Sequence, residues 1–219
     1  MKLYDSEPAP NPRRVRIFLA EKGIPLSESA NGAGAVQRVP VDMAAGEHRS
    51  EAALARNPQG QIPVLELDDG TSISESVAIC RYFEALQPEP ALFGSGPMEQ
   101  ARVEMWNRRI ELGLLSQVGI AWRNGPVVAR MAPGRFRQIP EAKEDAERAV
   151  RSFYKRMDGW LAGRSFLDGD RYSIADITAL CTIDFAATLV DLKPDPDLAE
   201  LWRWHAEVSA RPSASSGGR

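Results

Sequence analysis

The stretch that decides the fold is Asn57–Ser76, which reads N-P-Q-G-Q-I-P-V-L-E-L-D-D-G-T-S-I-S-E-S. Two apolar runs, Ile62–Leu67 and Thr71–Ile73, flank the dipeptide Asp69-Gly70. Asp-Gly between apolar runs is a strong signal for a two-stranded hairpin. A helix with apolar residues at helical spacing is expected to begin near Ser74. The stretch therefore predicts a hairpin closed by a helix.

The residues before this hairpin alternate between strand and helix signals. The predicted elements are a strand over residues 1–5, a helix from Pro12 to about Lys22, a surface loop over 27–36, a strand at Val39–Val41 and a helix at Ser50–Arg56. With the hairpin and its closing helix, residues 1–86 have the order β-α-β-α-β-β-α. This order predicts a small mixed sheet covered by helices, an α/β domain.

The second part of the chain shows no strand alternation and predicts an all-helical domain. Residues 87–97, Q-P-E-P-A-L-F-G-S-G-P, are predicted to be the linker, and the helical domain spans 98–219. Its predicted features are a long helix from Met98, an apolar stripe between Ala146 and Leu161, a helix start at Ser173–Asp176, a helix over Leu198–Ser209 ended by Pro212, and a disordered tail over 213–219.

Composition excludes several classes of protein. The 219 residues carry a formal net charge of −3 and are 43% hydrophobic, which argues against a nucleic-acid surface and against global disorder. No apolar run is long enough to span a bilayer. Met1–Asp5 opens directly into a strand-like run, so we expect no signal peptide there. Cys80 and Cys181 stand far apart, so we expect no disulfide scaffold and no metal site, and a cytoplasmic protein.

Three ordered segments resemble the cytosolic glutathione transferases over nearly the whole chain. They are Asn57–Leu65, the pair Glu75-Ser76, and Tyr172–Ile177. The opening Pro10–Arg16, with Gly46-Glu47-His48, is closest to bacterial and fungal members that lack the usual catalytic side chain. The resemblance implies a thioredoxin-like first domain that binds glutathione and a helical domain that binds the second substrate.

The resemblance places the glutathione backbone beside Ile62, with Pro63 as a cis-proline. Glutathione is an extended tripeptide, and extended peptides bind by adding to a strand edge. The alternative is an ordinary trans-proline at an edge strand, since only about 5–6% of X-Pro bonds are cis.

Glu75 and Ser76 stand at a predicted helix start, where free amides bind carboxylates. Ser76 would bind the γ-glutamyl carboxylate and Glu75 its ammonium group; the alternative is plain helix capping. Gln61 and His48 are candidates for the glycyl end. An exposed loop histidine is the alternative for His48.

The usual catalytic hydroxyl or thiol is missing. Its position falls at Ala9 or Pro10, and Tyr4 is expected to be structural. The remaining candidate is the start of the first helix, where the positive helix end stabilises a thiolate. Because prolines have no N–H, the amide of Asn11 is the leading hydrogen-bond donor to the thiolate. The neighbouring arginines add positive potential, which would also lower the pKa of the thiol. The alternative for Arg13, Arg14 and Arg16 is a solvated face that pairs with acids such as Glu7.

The helical domain supplies candidates for the second-substrate pocket. They are Trp106, Ile110, Leu115, Trp122 and Arg123, with Met131 and Phe136 as further options.

The expected function is conjugation of glutathione, as co-substrate, to small electrophilic hydrophobic compounds. The alternatives are a non-catalytic binding or interaction module of the same fold and a glutathione-dependent dehalogenase or isomerase. The resemblance implies a homodimer, and a stripe of Val103, Trp106, Ile110 and Leu114 is the sequence feature that favours it.

Overall fold

The computed structural model describes residues 1–7, 9–29 and 35–216 of the chain. Two compact units are present: residues 1–91 together with the C-terminal segment from Pro212, and residues 92–211. The division between the units falls within the stretch 87–97 that sequence composition marks as a linker.

The first unit contains one five-stranded sheet. Its strands are β1 (Lys2–Asp5), β2 (Leu26–Ser27), β3 (Val36–Pro40), β4 (Val64–Glu66) and β5 (Ser72–Ser74), in the order β2-β3-β1-β4-β5. The β2, β3 and β1 strands are parallel, whereas β4 pairs antiparallel with both β1 and β5. The hairpin predicted around Asp69-Gly70 is confirmed as β4–β5.

Three helices and a 3-10 turn complete this unit. They are α1 (Pro10–Glu21), the turn Glu47–Arg49, α2 (Glu51–Arg56) and α3 (Ser76–Leu86). The core includes Leu3 of β1, Phe18 of α1 and Phe83 of α3, all of them buried. The mixed sheet with its helices is the predicted thioredoxin-like architecture.

Several elements differ from the sequence prediction, among them β3, which spans Val36–Pro40 rather than Val39–Val41. The α1 helix begins at Pro10 rather than Pro12, because Ala9 is extended (φ −82°, ψ 135°) and proline is tolerated in the first helical turn. The predicted loop over 27–36 contains an additional strand, since Leu26–Ser27 pairs with Val36–Gln37. A two-residue strand has no detectable alternation in sequence. Residues 30–34 of that loop lie outside the described residues.

The C-terminal segment returns to the first unit. Pro212 ends the preceding helix as predicted but also begins a short helix, α10 (Pro212–Ser216), which contacts α1. Ser213 and Ala214 are buried, and the Ser213 hydroxyl donates a hydrogen bond to Glu21. The expected disorder is therefore wrong for residues 213–216; residues 217–219 lie outside the described residues.

The second unit is built from helices. They are α4 (Gly96–Ile110), a π-helical stretch (Glu111–Leu115), α5 (Ser116–Arg123), α6 (Pro126–Met131), α7 (Pro140–Leu161), α8 (Ile174–Phe185), a second π-helical stretch (Ala186–Val190) and α9 (Ala199–Ser209). In the described part of the chain, no strand follows Ser74, and only isolated bridges occur between Phe166 and Arg171.

The predicted start of α8 is confirmed as a capping box. The Ser173 hydroxyl accepts a hydrogen bond from the Ala175 N–H, and Asp176 accepts one from the Ser173 N–H. The α8 helix is almost entirely buried, so it forms the centre of this unit. A search of the described residues finds no helix both long and apolar enough to cross a membrane.

Candidate functional site

The loop before β4 is organised by Asn57. Its side-chain amide donates to the carbonyl of Gln61 (2.8 Å) and accepts from the N–H of Gln59 (3.2 Å). The Gly60 N–H donates to the Asn57 carbonyl (2.9 Å). Gly60 has φ +60°, and a Cβ there would lie 3.3 Å from the His48 carbonyl oxygen. The loop therefore presents Gln61 and the following residue in a defined conformation.

Gly60→Ala is expected to destabilise the protein more than Gly70→Ala. Both glycines have positive φ, which costs a side chain about 1–2 kcal/mol. Gly70 has open space around its Cβ position, so it is a matched control for the φ penalty alone. The free energies of unfolding, from urea titrations followed by circular dichroism, give the difference. Equal destabilisation in the two variants would show that the close approach of Gly60 to the His48 loop has no energetic consequence.

The Ile62–Pro63 peptide bond is cis, as the resemblance implied. A second cis bond, Glu89–Pro90, was not anticipated. Ile62 lies immediately before β4, whose pairing with β1 and β5 begins at Val64. The backbone of Ile62 thus stands outside the strand ladder, at its end.

A cavity of about 300 Å³ lies in the first unit beside this loop. It is lined by Tyr4, Val39, Pro40, Val41, Glu47, His48, Ser50, Ala53, Arg56, Gln61, Ile62 and Val64. The structure therefore brings the predicted residues His48, Gln61 and Ile62 to one cavity, and its lining does not include Asn11, Glu75 or Ser76. His48 is buried within its 3-10 turn, so its description as an exposed loop histidine is wrong.

Glu75 and Ser76 form the start of α3. Glu75 is the N-cap residue with φ 68° and ψ 113°, a backbone conformation that costs a non-glycine residue on the order of 1–3 kcal/mol. Its side chain is exposed and does not cap the helix, so the first-turn amides are not satisfied by it. Ser76 is buried, and its hydroxyl oxygen accepts a hydrogen bond from Arg14 Nη1 at 2.7 Å. The alternative of plain capping by Glu75 is therefore wrong.

The N-terminus of α1 contains a single amide hydrogen among its first three residues. Pro10 and Pro12 have no N–H, and the Arg13 N–H already donates to the Ala9 carbonyl at 3.2 Å. Asn11, at the second position, therefore contributes the first-turn donor. Its side-chain oxygen is buried and accepts no hydrogen bond from the described residues.

The three arginines of α1 are buried, and a solvated face is wrong for them. Arg16 pairs with Asp5, which is fully buried and also pairs with Arg38. Arg14 reaches Ser76 across 62 residues of sequence. The sequence contained one signal of this burial, since the arginines share a helix with apolar residues. It did not identify Ser76 and Asp5 as the partners of Arg14 and Arg16.

Both the hydroxyl and the ring of Tyr4 make contacts within the first unit. Its hydroxyl donates to Glu66 Oε2 at 3.0 Å, and Arg56 lies over its ring at 4.0 Å. Burial and the hydrogen bond to Glu66 raise the pKa of Tyr4 above its ordinary value. The phenol is thus a poor candidate for ionising a thiol. Ser6 lies in a turn, where its carbonyl accepts from the Ala9 N–H.

The predicted pocket residues of the second unit have different environments. Trp106 and Ile110 are core residues, and Trp106 packs edge-on against Trp160. Leu115 and Trp122 are half-buried, and Trp122 packs edge-on against Phe185. Arg123 is exposed and lies over the ring of Phe136. The core positions of Trp106 and Ile110 argue against their contact with a substrate, because α4 turns this face toward its own unit.

In the described residues, no group of three or more His, Cys, Asp or Glu side chains is placed to hold a metal ion. Cys80 and Cys181 are both buried and are not joined in a disulfide.

Comparison with known proteins identifies both units. Residues 9–86 match the family "Glutathione S-transferase, N-terminal domain", and residues 123–212 match "Glutathione S-transferase, C-terminal domain". The chain is 36% identical over 219 residues to glutathione S-transferase 2 of Saccharomyces cerevisiae, covering 97% of this chain and 87% of the relative. It is 41% identical over 104 residues to a maleylacetoacetate isomerase of Pseudomonas aeruginosa, covering 47% of this chain and 44% of that protein.

Among solved structures, Gtt2 of Saccharomyces cerevisiae superposes with a TM-score of 0.87 at 34% identity, covering 99% of this chain and 100% of that one. Two family matches, a full-length relative and a full-length structural match agree on one assignment. The chain therefore belongs to the cytosolic glutathione S-transferase family of transferases.

Proposed function

We propose that the chain binds glutathione in its first unit, stabilises the thiolate at the start of α1 and transfers it to small electrophilic hydrophobic substrates. The observation that supports this most directly is the start of α3. Its amides are left uncapped by Glu75, and Ser76 is fixed by a buried arginine. Helix N-termini of this kind bind carboxylates, and glutathione offers one at its γ-glutamyl end.

The residues of the proposed glutathione site divide by the part of the ligand they contact. Ser76 takes the γ-glutamyl carboxylate and Glu75 its ammonium group. Ile62, next to Pro63, takes the cysteinyl backbone, and Gln61 and His48 take the glycyl end. Asn11 takes the sulfur. Leu115, Trp122 and Arg123 remain as the candidates for the second substrate, because none of them is buried in the core.

Two measurements on the full chain test the function. Isothermal titration calorimetry measures whether glutathione binds, and a spectrophotometric assay with glutathione and an aryl halide measures conjugation. Binding with conjugation supports a transferase. Binding without any conjugation would favour a non-catalytic glutathione-binding module, for which the missing hydroxyl near Ala9 is the motivating feature.

Ser76→Ala is expected to weaken glutathione binding by about 1–3 kcal/mol, because a charged partner loses a buried hydrogen bond. Glu75→Ala should weaken it through the ammonium group. Ser95→Ala, an exposed serine that does not cap α4, is the control and should bind as the wild type does. Unchanged affinity in both site variants, with circular dichroism unaltered, would mean that the site is misplaced.

A glutathione-dependent isomerase is a second candidate, and the 41% identity to a maleylacetoacetate isomerase over 104 residues favours it. Both activities would use the same bound thiolate, but in the isomerase the carbon–sulfur bond formed with the substrate breaks again and glutathione is released unchanged, whereas in conjugation glutathione stays in the product. A panel containing a cis-configured unsaturated diketo acid, a haloalkane and an aryl halide distinguishes isomerase, dehalogenase and general transferase.

We also propose that the protein is a homodimer and that it is located in the cytoplasm. The cytoplasmic location is supported by the family and by the small number of cysteines. The stripe of Val103, Trp106, Ile110 and Leu114 is buried in the single chain, so it gives no evidence for a partner. Apolar side chains that remain exposed occur seven residues apart at Met98 (71%), Met105 (39%) and Leu112 (59%).

Light scattering at micromolar concentration is expected to give about twice the 24.1 kDa mass of the chain. Met105→Glu combined with Leu112→Glu should shift it toward the monomer, because charges oppose burial of this surface. Met131→Glu, an exposed apolar residue on α6, is the control. A monomeric wild type would contradict the dimer.

A further inference from the structure

We propose that the cavity beside the Ile62–Pro63 loop accepts thiol tripeptides that are lengthened at the glycyl carboxyl by a short aliphatic amine in amide linkage. This inference rests on the proposed function, which places the glycyl end of the ligand at Gln61 and His48. Both residues line the cavity, but the cavity continues from them to the sheet and to α2. The inference names the class of co-substrate that would fill that further part.

The floor of the cavity is one face of the sheet. Tyr4 is the register partner of Val39 in β3 and of Val64 in β4, so these three side chains lie side by side, and all three line the cavity. Successive side chains of a strand point to opposite faces, so the neighbouring pair Leu3 and Leu65 lies on the other face, where both are fully buried. One face of the sheet thus carries the core, whereas the other opens into the cavity.

The roof of the cavity is α2. Ala53 and Arg56 are three residues apart, so they lie on one side of this helix, and both line the cavity. The guanidinium of Arg56 lies over the Tyr4 ring at 4.0 Å, which joins the helix to the floor at that point. Within α2 itself, no residue is buried. The helix therefore does not pack closely on the sheet, and the gap beneath it is part of the fold.

The cavity is larger than the group assigned to it. At the roughly 30 Å³ that a water molecule occupies, a volume of about 300 Å³ holds about ten atoms of that size, roughly twice the number in a glycyl unit. A glycyl unit with a butylamide comes close to filling it. The added carbon atoms would lie against Val39, Val64 and Ala53, whose side chains have no polar atoms, and removing apolar surface from water favours binding.

Charge favours an amide over a free carboxylate in this part of the cavity. Arg56 Nη1 lies 3.9 Å from Glu66 Oε2, so its positive charge is already compensated. Glu47 stands at the exposed rim of the cavity, where its Oε2 accepts from the Asp42 N–H at 2.8 Å. A glycyl carboxylate turned toward α2 would face the like charge of Glu47, whereas an amide carries no charge.

The test compares glutathione with its glycyl N-butylamide by isothermal titration calorimetry on the full chain. We expect the butylamide to bind at least as tightly as glutathione, although it lacks the glycyl carboxylate, because the butyl group contacts the apolar floor. A butylamide that binds more weakly than glutathione would overturn this inference and leave the proposed function intact. A wild type that binds neither ligand overturns the proposed function and this inference with it.

Ala53→Phe is the variant that separates the two ligands, because it places a ring in the gap beneath α2. It should weaken binding of the butylamide at least tenfold and binding of glutathione less than threefold. Ala52→Phe, at an exposed position of α2 that does not line the cavity, is the matched control and should leave both affinities unchanged.

A loss for the butylamide no greater than the loss for glutathione would show that the added group does not enter the gap, and would overturn the assignment. If Ala53→Phe does not fold by circular dichroism, Val39→Phe fills the same gap from the sheet and carries the same comparison.

Discussion

Asn11→Pro is expected to leave the thiol of bound glutathione with a pKa near its free value, about 8.5 for a cysteine-type thiol. In the wild type we expect that pKa to be about two units lower, which corresponds to roughly 2.7 kcal/mol. The reason is that Asn11 supplies the amide hydrogen of the first turn of α1, between two prolines that have none. Removing it removes the hydrogen bond to the developing anion and leaves only the helix dipole.

The conjugation rate at neutral pH should fall at least tenfold in Asn11→Pro, and only modestly in Asn11→Ala, which keeps the backbone amide. Proline is tolerated in a first helical turn because no intrahelical hydrogen bond is lost there. A crystal structure of the variant checks that the loop is unchanged. The direct measurement is the ultraviolet absorbance of the bound thiolate against pH.

Tyr4→Phe and Ser6→Ala are the controls for this experiment. Tyr4 donates its hydroxyl to Glu66, and Ser6 lies in a turn, so both variants should behave as the wild type does. Loss of the thiolate in either variant would make the protein a hydroxyl-dependent transferase. A bound thiol with an unshifted pKa in the wild type would contradict activation altogether.

Asp176→Ala is expected to destabilise the second unit by at least about 2 kcal/mol, because each buried donor left without an acceptor costs about 1–3 kcal/mol. Asp176 Oδ1 accepts from the Leu167 N–H (3.0 Å) and the Trp204 indole N–H (2.9 Å). Its Oδ2 accepts from the N–H (3.0 Å) and hydroxyl (3.1 Å) of Ser173. The alanine variant leaves these donors buried without an acceptor.

Tryptophan fluorescence reports this unit specifically, because all five tryptophans lie within residues 92–211. They are Trp106, Trp122, Trp160, Trp202 and Trp204. Guanidinium titrations followed by fluorescence therefore measure the effect. Asp145→Ala, which removes an exposed carboxylate on α7, should change the free energy of unfolding by less than about 0.5 kcal/mol. A similar small change in Asp176→Ala would show that the network contributes little.

The same carboxylate gives a pH dependence with a definite sign. Burial raises the pKa of Asp176 from 3.8 to about 6, against the effect of its hydrogen bonds, so the folded state holds the proton more tightly than the unfolded state. The contribution of this group to stability is therefore greatest below pH 4 and falls as the pH rises to about 6. Relative to Asp176→Asn, which does not titrate, the wild type should lose stability between pH 4 and 6 and change little above it.

Local signals determined much of this protein. Turn chemistry placed the β4–β5 hairpin at Asp69-Gly70, and Ser173 with Asp176 marked the start of α8, because both depend on residues within four positions of one another. The change from alternating to helical periodicity placed the helical unit after the proline-rich stretch. These features follow from backbone geometry that neighbouring residues decide.

Tertiary structure alone decided which of these residues face one another. The α1 arginines look like a solvated face in sequence, yet Arg14 contacts Ser76 and Arg16 contacts Asp5 because α1 is covered by elements distant in the chain. Trp106 and Ile110 look like pocket residues, yet the second unit encloses them. The segment from Pro212 looks like a tail, yet it forms a helix against α1. Helical spacing specifies a face, whereas burial of that face depends on the surfaces that fold against it, and no local pattern contains that information.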